Sequence, residues 1–345
     1  MKNPLMPAEW EPHRATWIAW PHRIDDWHDK FETIDWVYAE IVRVLSGSEF
    51  VEILVRDSQA AERVRFCLHM HRVNQAQYRI HVQLTDRSWL RDSAPTAVKT
   101  AEGVSWVQWK FNSWAKYDDY HADATVPAFV ASVSGKPLTA ALRPDTKQPL
   151  VLEGGAIETD GLGTLIVTEE CLQSEIQCRN PGLDKGGYEL TFGQYLGITK
   201  TIWLRAGCEG DDTHGHIDDV ARFVSPGHVL LAYEDDPHQA FHEISKENEA
   251  ILKSSKDALG TPLTVTRLPM PREMWFGDER LPASYANFYI ANRAVLVPTF
   301  NDENDARALE IIRSAFPNRS VVGIAATDLV LGFGTIHCLS QQEPI

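Results

Sequence analysis

Five short polar motifs recur along the chain at near-regular spacing, and they constrain its fold more than any other feature. With Asp92, Glu153, His216, Asn287 and Cys338 as markers, successive gaps are 61, 63, 71 and 51 residues. Five units in 345 residues average 69 each. Most motifs follow the same local order: an amphipathic segment, a short β-branched run, then a polar stretch rich in Gly, Asp or Trp. Hydrophobic periodicity predicts helices over 59–72, 124–133, 190–196, 240–259 and 305–316, and strands over 78–84, 149–152, 201–204, 263–267 and 321–324. A long period with one polar motif per unit predicts an α/β repeat closed around a shared axial site, as propeller blades close. An ordinary α/β protein with alternating elements at similar spacing is the competing reading. The run 16–20 is placed to pair with the run around Cys338 and close a ring. Asp160-Gly161 and Pro226-Gly227 fall between strand-like runs, as hairpin turns do. No low-complexity linker divides the sequence, so a single domain over 1–345 is expected.

Composition narrows the partners. The chain is 43% hydrophobic and 23% charged, which is ordinary for a globular protein. No apolar run reaches the roughly 18 residues of a membrane span. The opening MKNPLMPAEWEPH lacks an apolar signal core, which predicts a cytoplasmic protein. Lys and Arg number 33 against 48 Asp and Glu, and the net −15 repels nucleic acid and anionic membranes. Five cysteines without a CxxC pair argue against a disulfide framework and a thiolate zinc site. Eleven tryptophans serve either a core or an aromatic cage for a cation.

Three motifs carry reactive groups. In GFGTIHC, Cys338 follows a Gly-containing turn and is a candidate nucleophile, needing a lowered pKa or a nearby base. A buried structural cysteine is the alternative. His337 is not automatically that base, because adjacent residues on a strand face opposite ways. In GDDTHGHIDD, His216 and Asp218 lie two apart and share a face if the segment is a strand, supplying a base and a cation-binding carboxylate. His214, His216 and Asp218 equally form an HxHxD pattern suited to a metal. In SWLRDSAP, Asp92 matches a guanidinium as fork to fork, and Trp89 offers a face for a cation or its alkyl stem. An Arg91–Asp92 structural pair is the plainer reading. In LEGGAIETDG, Glu153 precedes two glycines that permit close backbone approach; it could bind substrate or orient His216.

Taken in order, MPAEWEPHRATWIAWP, SWLRDSAPT, FNSWAKYDDY, LEGGAIETDG, GDDTHGHIDDVARF, SYANFYIANRAVLVP and GFGTIHCLSQQEP resemble the agmatine deiminase family, which includes bacterial-type peptidylarginine deiminases. The pieces cover nearly the whole chain. The resemblance implies the pentein fold, a five-bladed ββαβ α/β-propeller with pseudo-fivefold symmetry and a central active site. It implies a metal-free, cofactor-free hydrolase that deiminates a small cationic guanidine, with agmatine giving N-carbamoylputrescine and ammonia. Carried over by motif, Cys338 is the nucleophile, His216 and Asp218 the HxD pair, Asp92 the Asp of WxRD, Glu153 the Glu of EGG, and Asn287 the Asn of SYxNFY. Catalytic roles then fall to Cys338, His216, Asp218 and Asp92. Substrate binding falls to Trp89, Asp92, Glu153, Asp218 and Asn287. The resemblance also suggests a homodimer or larger assembly. Ala94 and Phe333 depart from the family's usual glycines, and both flank proposed site residues. Alternatives are free arginine or peptidyl-arginine as substrate, amidino transfer to an amine, a metal-dependent amidohydrolase, and a non-catalytic binding ring. Free arginine would need a cationic partner for its carboxylate, for which Arg91 and Arg205 are candidates.

Overall fold

The computed structural model describes residues 4–345. One connection pattern recurs five times. In the first unit β1 (His13–Ala19) runs through α1 (Phe31–Ser46) to a parallel β2 (Phe50–Val55), and α2 (Ser58–Met70) leads to β3 (Tyr78–Val82). A single helical turn, α3 (Leu90–Ser93), precedes the second unit: β4 (Thr96–Thr100) and β5 (Gly103–Gln108) are antiparallel, and α4 (Val126–Ser134) returns the chain to β6 (Leu138–Ala140), parallel to β5. The third has β7 (Glu158–Thr159), β8 (Thr164–Thr168), α5 (Glu169–Gln173), α6 (Lys185–Leu196) and β9 (Lys200–Leu204). The fourth has β10 (Ala221–Ser225), β11 (His228–Tyr233), α7 (Phe241–Ser254) and β12 (Thr264–Pro269). A separate hairpin, β13 (Met274–Phe276) and β14 (Glu279–Leu281), precedes the fifth unit: β15 (Tyr289–Ile290), β16 (Ala294–Thr299), α8 (Asp305–Ala315) and β17 (Ser320–Ala325). Finally β18 (Ser340–Pro344) lies antiparallel to β1 and completes the first unit's sheet in the order β18-β1-β2-β3. Each unit is thus an antiparallel pair followed by a helical crossover to a parallel strand.

Local chemistry explains the elements. Asp57 caps α2 by accepting from the Ala60 amide, and Asp184 caps α6 through Gly187. In α1, Ile34, Tyr38, Ile41, Val42 and Leu45 are buried at helical spacing. Gly227 closes the β10–β11 turn at φ 70°, where a side chain would be strained. Trp17, Trp27 and Trp106 are fully buried, so much of the tryptophan content is core. Among the described residues, no helix is long and apolar enough to cross a membrane.

The run 16–20 does pair across the seam, with the segment just past Cys338. The expected helix over 190–196 is the second half of α6, whose first turn carries two glycines that blur its period. The expected strand over 149–152 is a correction: this segment makes only isolated bridges, Pro149 to Leu142 and Val151 to Lys110. Pro149 has no N–H with which to continue a ladder.

Candidate active site

Asp92 sits on α3, and both of its oxygens are engaged. Oδ1 accepts from the Gly155 amide at 3.0 Å and Oδ2 from Trp114 Nε1 at 2.9 Å. Arg91 beside it turns away to Glu9 at 3.2 Å, so the expected Arg91–Asp92 pair does not form. The two glycines after Glu153 are needed for space. A Cβ on Gly155 would fall 2.5 Å from His216 Nδ1 and 2.9 Å from Asp92 Oδ1, and one on Gly154 would fall 2.2 Å from the Arg91 carbonyl oxygen. Trp114 reaches Asp92 from an unusual turn. Ser113, Trp114 and Ala115 have φ of 53°, 59° and 54°, a left-handed run that costs roughly 1–2 kcal/mol per residue. Asn112 steadies it by accepting from the Ala115 amide at 3.0 Å.

Asn287 organises the other side. Its Oδ1 accepts from Thr335 Oγ1 at 2.7 Å, the His337 amide at 3.0 Å and the Cys338 amide at 3.3 Å. Its Nδ2 donates to Cys338 Sγ and to Asp219 Oδ1, each at 3.0 Å. The His216–Asp218 segment is not a strand. Ile217–Asp219 form a 3-10 turn with His216 just before it, so the shared-face argument fails although both residues reach the cluster. His216 Nδ1 is 3.8 Å from Asp92 Oδ1, and Nε2 is 3.7 Å from Glu153 Oε2. These are ion-pair distances, and neither ring nitrogen has a hydrogen-bond partner. Glu153 is held by Arg179 at 3.2 Å. Asp218 Oδ2 lies 3.6 Å from Cys338 Sγ and 2.6 Å from His337 Nδ1, while its Oδ1 is unpartnered.

The HxHxD set is not assembled. His214 bonds Ser174 Oγ at 3.0 Å and lies 4.0 Å from Glu170. Among the described residues, His216 converges with Glu153 and Cys171, whereas Asp218 converges with Asp219 and Cys338.

Electrostatics divide the buried groups. Burial, then Asp218, Asp219 and Asp92, push the Cys338 thiol well above its usual value, so it is protonated near neutrality. Burial would lower His216, but Asp92, Cys171 and Glu153 raise it well above the usual histidine range. Burial, aided by Asp218 and Glu153 and opposed by His216, lifts Asp92 to about 6. Burial also pushes Asp218 up, yet His337, His216 and Arg222 outweigh it and hold that carboxyl low. Its neighbour Asp219 goes the other way, raised by burial and by Asp218.

A cavity of about 250 Å³ opens on this cluster, with Cys338, Asp92, Trp89, Trp114, Asp26 and Phe333 in its wall. Phe333 holds φ 61° there. Gly332 and Gly334 on either side of it leave no room for a Cβ against Trp27 and Trp89. Neither Arg91, buried against Glu9 and Gln342, nor Arg205, exposed and paired with Glu169, lines the cavity. Neither is therefore placed to meet a substrate carboxylate there, as the alternative of free arginine as substrate would need. Arg23 and Arg87 line it instead.

The structure brings Cys338, His216, Asp218, Asp92, Trp89, Glu153 and Asn287 to one place. Sequence reasoning missed Glu9, Trp114, Arg179 and Asp219, and set His337 aside. Glu9 and Trp114 lie inside two of the matching segments, but nothing local marks either as a site residue.

Known proteins resemble this chain along nearly its whole length. An agmatine deiminase of Enterococcus faecalis, solved as it catalyses its reaction, superposes with a TM-score of 0.89 at 31% identity, covering 99% of this chain and 96% of that one. A substrate-bound cysteine-to-serine variant of C. jejuni agmatine deiminase gives 0.87 at 25% identity, covering 99% and 96%. A provisionally named agmatine deiminase of Mycoplasma capricolum is 37% identical, covering 98% of this chain and 95% of that protein. Residues 5–344 match the Porphyromonas-type peptidyl-arginine deiminase family, and with near-complete coverage by these relatives the chain belongs to that family.

Proposed function

We propose that this protein is a cysteine-dependent hydrolase of a small guanidine, with agmatine as substrate and N-carbamoylputrescine and ammonia as products. The observation that carries the reading is the placement of a thiol, Cys338, within 3.6 Å of Asp218 on a cavity that also holds Asp92 and two tryptophans. Two carboxylates suit the N–H edges of a guanidinium and can present its central carbon to sulfur. Bound cationic charge offsets the aspartates that keep Cys338 protonated, so on binding the thiol proton is released to solvent and the thiolate forms. Sulfur then attacks the guanidinium carbon. His216, protonated beside Asp92, gives its proton to the departing nitrogen, and ammonia leaves an amidino-thioether on Cys338. The neutral imidazole takes a proton from water, the hydroxide adds to the same carbon, and the C–S bond breaks to release the ureido product. Glu153, anchored by Arg179, supports the charged imidazole.

The cavity favours a cationic tail over a carboxylate. Arg87 is committed to Asp119 and Ser113, and Arg23 to Asp119 and Asp26. Asp26 keeps one oxygen without a partner, and burial lifts its carboxyl to about 6 against Arg23 and Arg87. An ammonium group answers that oxygen. We further propose that the five units close into one pentein ring, a single domain, around this site; the β18–β1 pairing supports closure.

The test is an assay for ureido product and ammonia, with agmatine, free arginine and a blocked arginyl peptide, EDTA present, and Cys338→Ala alongside. Agmatine turnover abolished by the substitution is expected. Turnover surviving the substitution overturns the thiol mechanism, and preference for arginine overturns the substrate assignment.

A further inference from the structure

Two buried carboxylates bracket the ring of His337. Nδ1 lies 2.6 Å from Asp218 Oδ2, and Nε2 lies 2.8 Å from Glu9 Oε2. Each carboxylate takes one side of the ring, so neither nitrogen is left for another partner. Glu9 is itself anchored from behind. Arg222 Nη2 sits 2.9 Å from its Oε1 and Arg91 Nη2 3.2 Å from its Oε2. Burial pushes Glu9 up, but Arg222, His337 and Arg91 hold it well below the usual carboxylate range. Behind this row, Arg222 also binds Glu158 at 3.0 Å. The row thus runs without a gap from two arginines through Glu9 and His337 to Asp218.

At the far end Asp218 has one oxygen fixed and one free. Oδ2 is taken by His337 and faces the Cys338 sulfur, while Oδ1 is buried with no partner. Both nitrogens of His337 are occupied, so it is not arranged to exchange a proton with the thiol or a substrate. On the footing of the guanidine-hydrolase reading above, we infer that His337 is a positioning residue. Clasped by Glu9, it fixes the Asp218 carboxylate so that Oδ1 is presented to the substrate guanidinium beside the Cys338 sulfur. Cation recognition then depends on a ring the substrate never touches. A histidine that merely fills the core would support a neutral and a cationic ligand alike, and this difference gives the test.

Alkylation of Cys338 by 2-chloroacetamidine, a cationic amidine electrophile, is compared with alkylation by iodoacetamide, a neutral one of similar size. The rate ratio is measured for the wild type, His337→Asn and Glu9→Gln, with thermal melting confirming folded protein. Neither reagent requires agmatine to be the substrate, so wild-type turnover reports separately on the hydrolase reading. The cationic-to-neutral ratio is expected to fall about tenfold in His337→Asn and at least threefold in Glu9→Gln. A ratio within threefold of wild type in folded His337→Asn overturns the inference. Should that variant fail to fold, the near-isosteric Glu9→Gln decides by the same threefold threshold.

Discussion

Two buried imidazoles serve this site, and they are held in opposite ways. His337 is locked, with a short hydrogen bond on each nitrogen. His216 is loose, with carboxylates at 3.7 and 3.8 Å and no hydrogen bond on either nitrogen. Both lie among negative groups, so charge does not separate them; freedom does. A group that gives and retakes a proton must be able to exchange partners during the reaction. A group that aims a carboxylate must not. The same contrast extends to the two aspartates. Asp218, on the locked imidazole, is held low, whereas Asp92, near the loose one, rises to about 6.

The largest expected effect separates the histidines directly. His216→Asn should lower kcat by about 10²–10⁴-fold, the usual contribution of a positioned acid–base, with KM for agmatine changed by a small factor. Steady-state kinetics check this, and a rise in KM matching the fall in kcat would erase the contrast with His337. Next is Gly155→Ala. The added methyl would sit 2.5 Å from His216 Nδ1, and a displacement of about 1 Å at a catalytic group costs on the order of 10²-fold. Activity should collapse while the variant, destabilised by roughly 1–3 kcal/mol of overpacking, stays folded at the assay temperature; wild-type activity in this variant would mean His216 has no fixed station.

The smallest effect sharpens the aspartate half. Trp114→Phe removes the indole N–H that reaches Asp92 and keeps an aromatic ring, so KM should rise about tenfold, as for a lost hydrogen bond to a charged group. In the wild type, kcat/KM should fall as pH drops through about 6, because protonation removes the Asp92 charge that a guanidinium needs. The Trp114 bond lowers that carboxyl, so losing it should move the acid limb of the profile to higher pH. A limb that stays in place would assign the titration to another group.

Legibility in the sequence followed the range of the forces involved. The five-unit rhythm, the Cys338 turn and the EGG spacing are local patterns; five similar strand–helix–strand units recur in the structure, and Cys338 and Glu153 both reach the buried cluster. The error at His216 and Asp218 came from applying strand alternation to a 3-10 turn. A similar assumption set His337 aside. No strand covers His337 and Cys338, and the turn aims both side chains at Asp218 Oδ2, one at 2.6 Å and the other at 3.6 Å. Glu9 was invisible for another reason. Its partners Arg91, Arg222 and His337 lie 82, 213 and 328 residues away, and no local period reports such contacts. Trp114 gave no warning because a left-handed run of Ser, Trp and Ala contains none of the glycine that usually announces one.

One feature of the fold bears on how the site fails under stress. Cys338 lies two residues before β18, the strand that joins β1 from the far end of the sequence. That seam is a contact of maximal sequence separation, so its closure belongs late in folding, when the loop it spans is already shortened by the other sheets. Opening of that seam would free the nucleophile while the remaining sheets stay paired. Under mild denaturant the protein would then fall silent before it unravels, with amide exchange in β1 and β18 rising alongside lost turnover and ahead of exchange elsewhere.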